Sequence, residues 1–500
     1  MTSDLLPPRV SDVLLACFAV AFVWAIVKIL RAKTSRKRFP VLRPLPPGPP
    51  PNWFYGNAEV MRSNPETRHL TLLQLHKKYG KVVSIQLGRP PLYGSYLFSI
   101  ADPKLCEEIL KTKSYNSVRV RTIQDRFIPV LGANSLVTLD GEKWRTHRRL
   151  IMPLFHSGFL SYTLEVISHK TKLVIEKWKE LPKSTSVEAF SVVQALTLDI
   201  ISQAAFGYDL KVQENPNDET VQALGYFVRM LGDRAFLLIP RLWEWMHPFK
   251  AHCGHQLRRV LDNFVNQIIQ ERKSNDEARN DLLTLLLRAQ DPESKYRLTD
   301  VEVHDEILTF LFGGFETVTS QLCWILFHLA QNPEIQTTAQ EEVDRVLGDS
   351  DVVTADMDKE LIYVGNCIKE SQRLIPALTG FSRGVAQDSE LGGFHIPKGS
   401  VMFLDSYVLH HSGDLWDNPE QFDPTRWDDK MAVHTFSFLP FGGGSRRCAG
   451  QPLAVVEMKA VIALILRNFS LTLDESKPLV TKVELAFGPR EIHFFLRKRN

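Results

Sequence analysis

Phe441-Gly442-Gly443-Gly444-Ser445-Arg446-Arg447-Cys448-Ala449-Gly450 decides how this 500-residue chain is read. Three consecutive glycines remove three β-carbons, so the backbone can lie close against a flat ligand. An apolar run from about Gly450 to Asn468 follows, with Pro452 in its first turn, and this pattern predicts a helix. Cys448 then falls at a helix N-terminus. Free amides and the helix dipole favour an anion there and lower a thiol's pKa. Arg446 and Arg447 add positive charge beside it.

A lone cysteine in a large protein is more often an inert buried thiol than a ligand. The neighbouring residues argue otherwise. Phe441, Gly444, Arg446, Cys448 and Gly450, preceded by Pro440, resemble the haem-binding loop of the cytochrome P450 family. The resemblance implies that Cys448 is the axial thiolate of haem b iron, a ligand whose electron donation promotes O–O cleavage. It also places Phe441, Gly442, Arg446 and Gly450 around the cofactor.

Composition sets weaker bounds. The net charge of +3 gives no global argument for nucleic acid, and the 44% hydrophobic fraction is that of an ordinary globular protein. The cysteines at 17, 106, 253, 323, 367 and 448 show no zinc-site spacing and no dense disulfide framework. That suits a reducing compartment around the main domain.

The N-terminus departs from this average. Val13 to Leu30 is apolar apart from Lys28, and as a helix it would rise about 27 Å, near a hydrocarbon core. Arg31, Lys33, Arg36, Lys37 and Arg38 follow, which by the positive-inside tendency face the cytosol. A cleaved signal peptide would carry its charge before the apolar stretch. The expected layout is therefore a luminal stretch 1–12, a transmembrane anchor 13–30, a basic and proline-rich linker 31–52, and one domain 53–500. The implied location is the endoplasmic reticulum membrane, single-pass, with the catalytic domain in the cytosol. Pro44-Leu-Pro-Pro-Gly-Pro-Pro-Pro51 reads as a stiff spacer and resembles the family's proline-rich hinge. Asn468-Phe-Ser470 is a glycosylation sequon, expected to stay unmodified on a cytosolic domain.

Along the domain, Lys81 to Gly88 alternates as a strand, with Leu92 to Ile100 as its hairpin partner. Pro103 to Lys113 reads as a short helix, and Ser117 to Asp140 reads mostly as loop. Gly141 opens a basic helix in which Trp144 and Arg148 share a face, an indole and a guanidinium that together suit a carboxylate. Lys143, Arg145 and Arg149 then face outward and, with Arg447, make a positive patch for an acidic redox partner. Leu237 to Phe249 is either buried core or a second membrane contact.

Thr299-Asp-Val-Glu302 matches a capping box, and the helix it starts should run to Gln331, about 48 Å. Gly313, Gly314, Glu316 and Thr317 interrupt its apolar centre. Gly313 and Thr317 share a face, so the glycines open a notch and the Thr hydroxyl can bond back to Gly313. A tight helix crossing is the other reading of the same residues. Glu370-Ser-Gln-Arg373 places an ion pair on one helix face.

Several of these elements resemble the family as well, over about Pro46 to Arg497. The resemblance makes Trp144, Arg148 and Arg383 haem-propionate contacts, with Gly313 and Gly314 beside the cofactor. Glu316 and Thr317 become the acid–alcohol pair that passes protons to the dioxygen being activated. Glu370, Arg373 and Arg426 become the buried triad behind the cysteine loop. Phe127, Phe315, Leu378 and Phe487 border the substrate.

The implied fold is mainly α, one large helical domain with small sheets. The implied function is a haem-thiolate monooxygenase that inserts one atom of O2 into a lipophilic small molecule, of the kind found among fatty acids, terpenoids, steroids and polyketides. Electrons would come from NADPH through a separate flavoprotein reductase, since no dinucleotide fingerprint occurs. A same-fold isomerase or dehydratase, rearranging a peroxide without reductase, is the alternative. A membrane-held haem carrier is a third reading, in which Thr317 would have no task.

Overall fold

The structure, a computed structural model, describes residues 44–52, 56–57, 59–60, 64–87, 95–113, 117–182, 185–234, 248–275, 279–428 and 434–499. The expected anchor 13–30 and luminal stretch 1–12 lie outside these residues, as does most of Leu237–Phe249.

The helices, in chain order, begin with α1 (Arg68–Tyr79), α2 (Pro103–Glu107), α3 (Arg121–Leu131), α4 (Gly141–Ile151) and α5 (Ser157–Glu180). Next come α6 (Ala189–Phe206), α7 (Glu219–Arg234), α8 (Pro248–Ser274), α9 (Leu282–Arg288) and α10 (Asp300–Gln331). The last are α11 (Pro333–Leu347), α12 (Ala355–Glu360), α13 (Ile362–Leu374), α14 (Ser406–His410) and α15 (Gln451–Asn468). The main sheet has β1 (Val82–Leu87), β2 (Ser95–Ile100), β8 (Val401–Leu404), β5 (Phe381–Val385) and β3 (Ser117–Val118) side by side. Only the β2–β8 pairing in it is parallel. A second sheet sets β12 (His493–Lys498) between β4 (Ser186–Glu188) and β9 (Phe469–Leu473). Two hairpins complete the set, β6 (Ser389–Leu391) with β7 (Phe394–Ile396) and β10 (Val480–Val483) with β11 (Phe487–Glu491).

α10 is the axis. Thr299 caps it with the reciprocal Glu302 bond, and it ends at Gln331 before Asn332 and Pro333, as the sequence predicts. Its N-terminal half, through Ile307, Leu311 and Phe315, packs in one apolar cluster. Its C-terminal half, through Val318, Leu322 and Leu326, packs in another with α15. α6 and α10 are both long and apolar enough to cross a membrane, yet 72% of each apolar window is buried inside the domain. These two helices are therefore core.

One expectation changes. Residues 117–140 are not mostly loop, because α3 occupies Arg121–Leu131 with Pro129 inside it. The helix end is secured from elsewhere: Arg258 on α8 donates to the carbonyls of Pro129 and Val130 at 2.9 and 3.0 Å. Gly132, at φ +75°, closes the helix and leaves room for the Asp305 carboxylate, which a β-carbon there would strike. The proline-rich segment read as a stiff spacer is, from Pro44 on, also packed against the domain. Ser84 on β1 donates to the Pro47 carbonyl at 2.8 Å, and His395 on β7 donates to Pro44 at 3.1 Å. Gly48 lies so close to Ser84 that a β-carbon would sit 2.0 Å from its carbonyl oxygen. The sequon residue Asn468 ends α15, and its amide donates to Leu464 at 2.9 Å.

Candidate active site

The cysteine loop is shaped by two left-handed glycines, Gly442 at φ +68° and Gly444 at φ +69°. Gly444 is doubly constrained, since a β-carbon would lie 2.6 Å from the Leu110 carbonyl. The Cys448 amide donates back to the Phe441 carbonyl at 3.0 Å and closes the loop. Gly450 is the N-cap of α15, with Pro452 in the first turn. Of the described cysteines, Cys448 alone is exposed, while Cys106, Cys323 and Cys367 are buried and burial pushes their thiols up.

The expected lowering of the Cys448 pKa is not the net result. Its sulfur opens onto accessible surface but lies deep within the chain, and that enclosure raises the thiol. The amides of Gly450 and Gln451 and the charges of Arg148 and Arg447 oppose the rise. The helix-terminus argument thus named real contributions and underestimated desolvation, which disfavours any buried anion.

Beside the loop, arginines converge. The Arg446 guanidinium stacks 4.0 Å over the centroid of the buried Trp144 ring and pairs with Asp140, the N-cap of α4. Arg148, one turn on from Trp144, is half-buried and near enough to Cys448 for the two to interact electrostatically. Arg383 on β5 is buried, and burial, then the charge of Arg446, lowers its pKa to about 10.

Sequence reasoning missed a fourth arginine. Arg119 leaves β3, which pairs with β5, and so arrives beside Arg383. Burial first, then Arg446 and Arg383, push Arg119 down to about 9. Its Nη2 donates to Leu136 at 2.9 Å, but its buried Nε has no partner. The only signal in the sequence was the alternating Ser117-Val-Arg-Val-Arg121, which does not say which arginine turns inward. Several cations around one carboxylate, with an orphaned buried donor, call for anionic oxygens from a ligand. Together with the glycine loop and a cysteine, the residues fit haem, whose two propionates would meet the arginines and whose iron would meet the sulfur.

Behind the loop, Glu370 and Arg373 on α13 are fully buried and form a two-point pair at 3.0 and 2.8 Å. Arg426 donates to Glu370 at 3.1 Å, as expected, and Trp427 Nε1 joins at 3.0 Å as an unforeseen fourth member. Arg373 also donates to the carbonyls of His410, Pro419 and Gln421. His410 Nε2 then accepts the Leu439 amide at 3.0 Å. This links the ion pair to the residue two before Phe441, and burial keeps His410 neutral for that task.

On α10, Gly313 is exposed in mid-helix and a β-carbon there would meet nothing within 4 Å. Thr317 donates to the Gly313 carbonyl at 2.7 Å. The notch is therefore formed by Gly313 and Thr317. Gly314 does not belong to it: a β-carbon there would lie 2.7 Å from Ile201 on α6, so this glycine serves the helix crossing. Glu316 is fully buried and ion-paired to Arg490 on β11 instead of facing the notch with Thr317. Burial pushes it up to about 7 against the pull of Arg490.

The expected substrate-facing residues divide. Leu378 is 45% exposed, and Phe127 is half-buried on α3. Phe315 is 1% exposed inside the core, because it lies on the packed side of α10. Phe487 is also withdrawn, with its ring 4.9 Å from His69 and 5.8 Å from Trp324. The basic patch is weaker than expected. Lys143, Arg145, Arg149 and Arg447 are all exposed, but Arg149 is paired with Asp291 and Glu293 and Arg145 with Glu142, so acidic neighbours offset part of the patch's charge.

A sequence profile described as Cytochrome P450 matches residues 46–494. The chain belongs to the cytochrome P450 family. It is 32% identical over 507 residues to human cytochrome P450 4X1, covering 96% of this chain and 95% of that one. It is 31% identical over 478 residues to cytochrome P450 4A24 of Sus scrofa, covering 90% and 91% of the two chains. Among solved structures, the cytochrome P450DA heme domain superposes with a TM-score of 0.81 at 25% identity, covering 92% of this chain and 98% of that one. The P450 fold is thus shown, and with it the class of enzyme, a monooxygenase whose cofactor is haem held by a thiolate.

Proposed function

We propose that this P450 inserts one atom of O2 into a lipophilic small molecule, with Cys448 as the residue whose sulfur would hold the haem iron and electrons from NADPH through a separate flavoprotein reductase. The observation that carries the residue assignment is the meeting of the one exposed described cysteine with the arginine cluster around Trp144. When bound, the haem supplies oxygen activation, and thiolate donation assists O–O cleavage.

The chain's own residues do the rest. Arg119, Arg148, Arg383 and Arg446 would hold the propionates by charge-assisted hydrogen bonds. The Glu370 network holds the loop, so Cys448 is presented in one geometry. Thr317 Oγ1 keeps its proton on the Gly313 carbonyl at rest and can release it toward the notch. Glu316 is the acid that replenishes protons, its pKa near neutrality being suited to gain and loss. The apolar surroundings, with Leu378 and Phe127, support a lipophilic substrate. The apolar segment 13–30 supports a single-pass anchor in the endoplasmic reticulum with the domain on the cytosolic side.

Two measurements test this. The reduced protein with carbon monoxide should show the red-shifted band of thiolate-bound haem, and Cys448→Ala should lack it. Thr317→Ala should keep both that band and the fold, while NADPH consumption yields peroxide instead of product. Turnover of a peroxide substrate without NADPH would favour the isomerase reading.

A further inference from the structure

Glu316 neighbours Thr317 in sequence, yet its carboxylate reaches the C-terminal hairpin. Its Oε1 accepts from Arg490 Nη2 on β11, and the same Nη2 donates to Glu484 Oε2 at 3.1 Å. Glu484 lies in the turn between β10 and β11. Side-chain exposure falls from 19% at Glu484 to 10% at Arg490 and 0% at Glu316, so the three residues run from the surface inward. The Arg490 guanidinium lies 4.6 Å from the centroid of Phe190 on α6, which fixes it from the far side.

Buried polar atoms without a partner gather here: Glu316 Oε2, Ser320 Oγ, Arg490 Nε and Arg490 Nη1. Ser320 follows Glu316 by one turn of α10, Gly488 and Arg490 fall on the same face of β11, and the two elements cross so closely that a β-carbon on Gly488 would lie 2.4 Å from Ser320 Oγ. Buried donors and acceptors left over in one place are ordinarily satisfied by water, which needs two to four polar partners.

We infer that Arg490, braced by Glu484, is a positioning residue that turns Glu316 toward the β10–β11 hairpin, so that protons reach Glu316 from that side. In this arrangement a proton from bulk solvent is relayed to Glu316 Oε2 through water held among Ser320 and Arg490, each water regaining from the solvent side the proton it passes on. Glu316 then swings from Arg490 and gives the proton to Thr317 Oγ1, which passes its own hydroxyl proton into the notch, and Glu316 returns to carboxylate. The other groups facing Glu316 are Gln194 on α6, which is neutral, and the Cys323 thiol, with Glu188 beyond it at the start of α6. Arg490 favours the Glu316 carboxylate and Glu484 opposes it. The inference rests on the reading of Glu316 as a proton donor.

The test uses the full-length holoprotein. The protonated-carboxyl infrared band of Glu316, identified as the band lost in Glu316→Gln, is followed against pH. Arg490→Met should raise its midpoint by about 1–3 pH units, the usual effect of removing a close opposite charge, while Arg490→Lys should leave it nearly in place. Glu484→Gln should lower the midpoint, and serves if the methionine variant does not fold. In membranes with reductase, peroxide released per NADPH should rise several-fold in Arg490→Met and return to normal in Arg490→Lys. An unmoved midpoint in Arg490→Met or in Glu484→Gln overturns the inference and leaves the donor reading standing. Unchanged peroxide release in Glu316→Gln overturns the donor reading itself.

Discussion

Replacing Arg373 with lysine keeps the charge and removes the shape. Arg373 is fully buried and makes two bonds to Glu370 and three to the carbonyls of His410, Pro419 and Gln421. A lysine ammonium carries its three donors on one nitrogen and cannot reach Glu370 and three separate carbonyls at once. At least two buried acceptors are left unmet, at about 1–3 kcal/mol each. The expected loss from two such acceptors is about 2–6 kcal/mol, with the charge pairing to Glu370 retained. Against a whole stability of about 5–15 kcal/mol, that is a large share. The effect should also reach Cys448, because Arg373 holds His410 and His410 holds the Leu439 amide. Urea unfolding followed by circular dichroism should show a lowered midpoint, and the carbon-monoxide band per mole of protein should fall with it. A variant that loses less than about 1 kcal/mol and keeps its full band would refute the reasoning, since the five bonds would then be dispensable.

The two central glycines should behave oppositely: Gly314→Ala destabilises by about 1–3 kcal/mol through its clash with Ile201. Gly313→Ala leaves stability equal or raises it by up to about 1 kcal/mol but alters substrate-induced spectral shifts, as thermal unfolding and titration would show. Arg119→Gln should hasten haem transfer to an acceptor protein by about tenfold, the scale of one charge-assisted contact, with little change in fold. Asp405 is buried beside Ser99, and burial raises its carboxyl from 3.8 to about 7. The folded state then holds a proton that the unfolded chain has released, so stability should fall as pH rises through that window. Asp405→Asn, measured by unfolding at several pH values, should flatten that slope.

The local pattern was enough wherever a motif carries its own geometry. The capping box at Thr299, the proline after Asn332 and the i, i+3 spacing of Glu370 and Arg373 each appear in the fold as read. So do the glycine loop and the helix after Cys448, because glycine conformation and helix starts depend on neighbours in sequence. What failed was set by residues far away. α3 was missed because Arg258, 129 residues on, caps its end. Gly314 was grouped with Gly313 because periodicity cannot tell an open face from one pressed on Ile201. Phe315 and Phe487 border the substrate only as the family resemblance implies, and a resemblance carries no packing: Phe315 is 1% exposed in the core and Phe487 packs near His69.

The chain by itself determined the family, the cysteine and the order of the motifs, since these reside in short runs whose chemistry is local. Only the tertiary structure decided that Arg119 joins Arg383 through strand pairing and that Trp427 completes the Glu370 cluster. It also decided that Glu316 answers to Arg490. These are encounters between residues 57 to 264 positions apart in the chain. Burial sets their energetics by removing water from charged groups, and burial is a property of the whole fold.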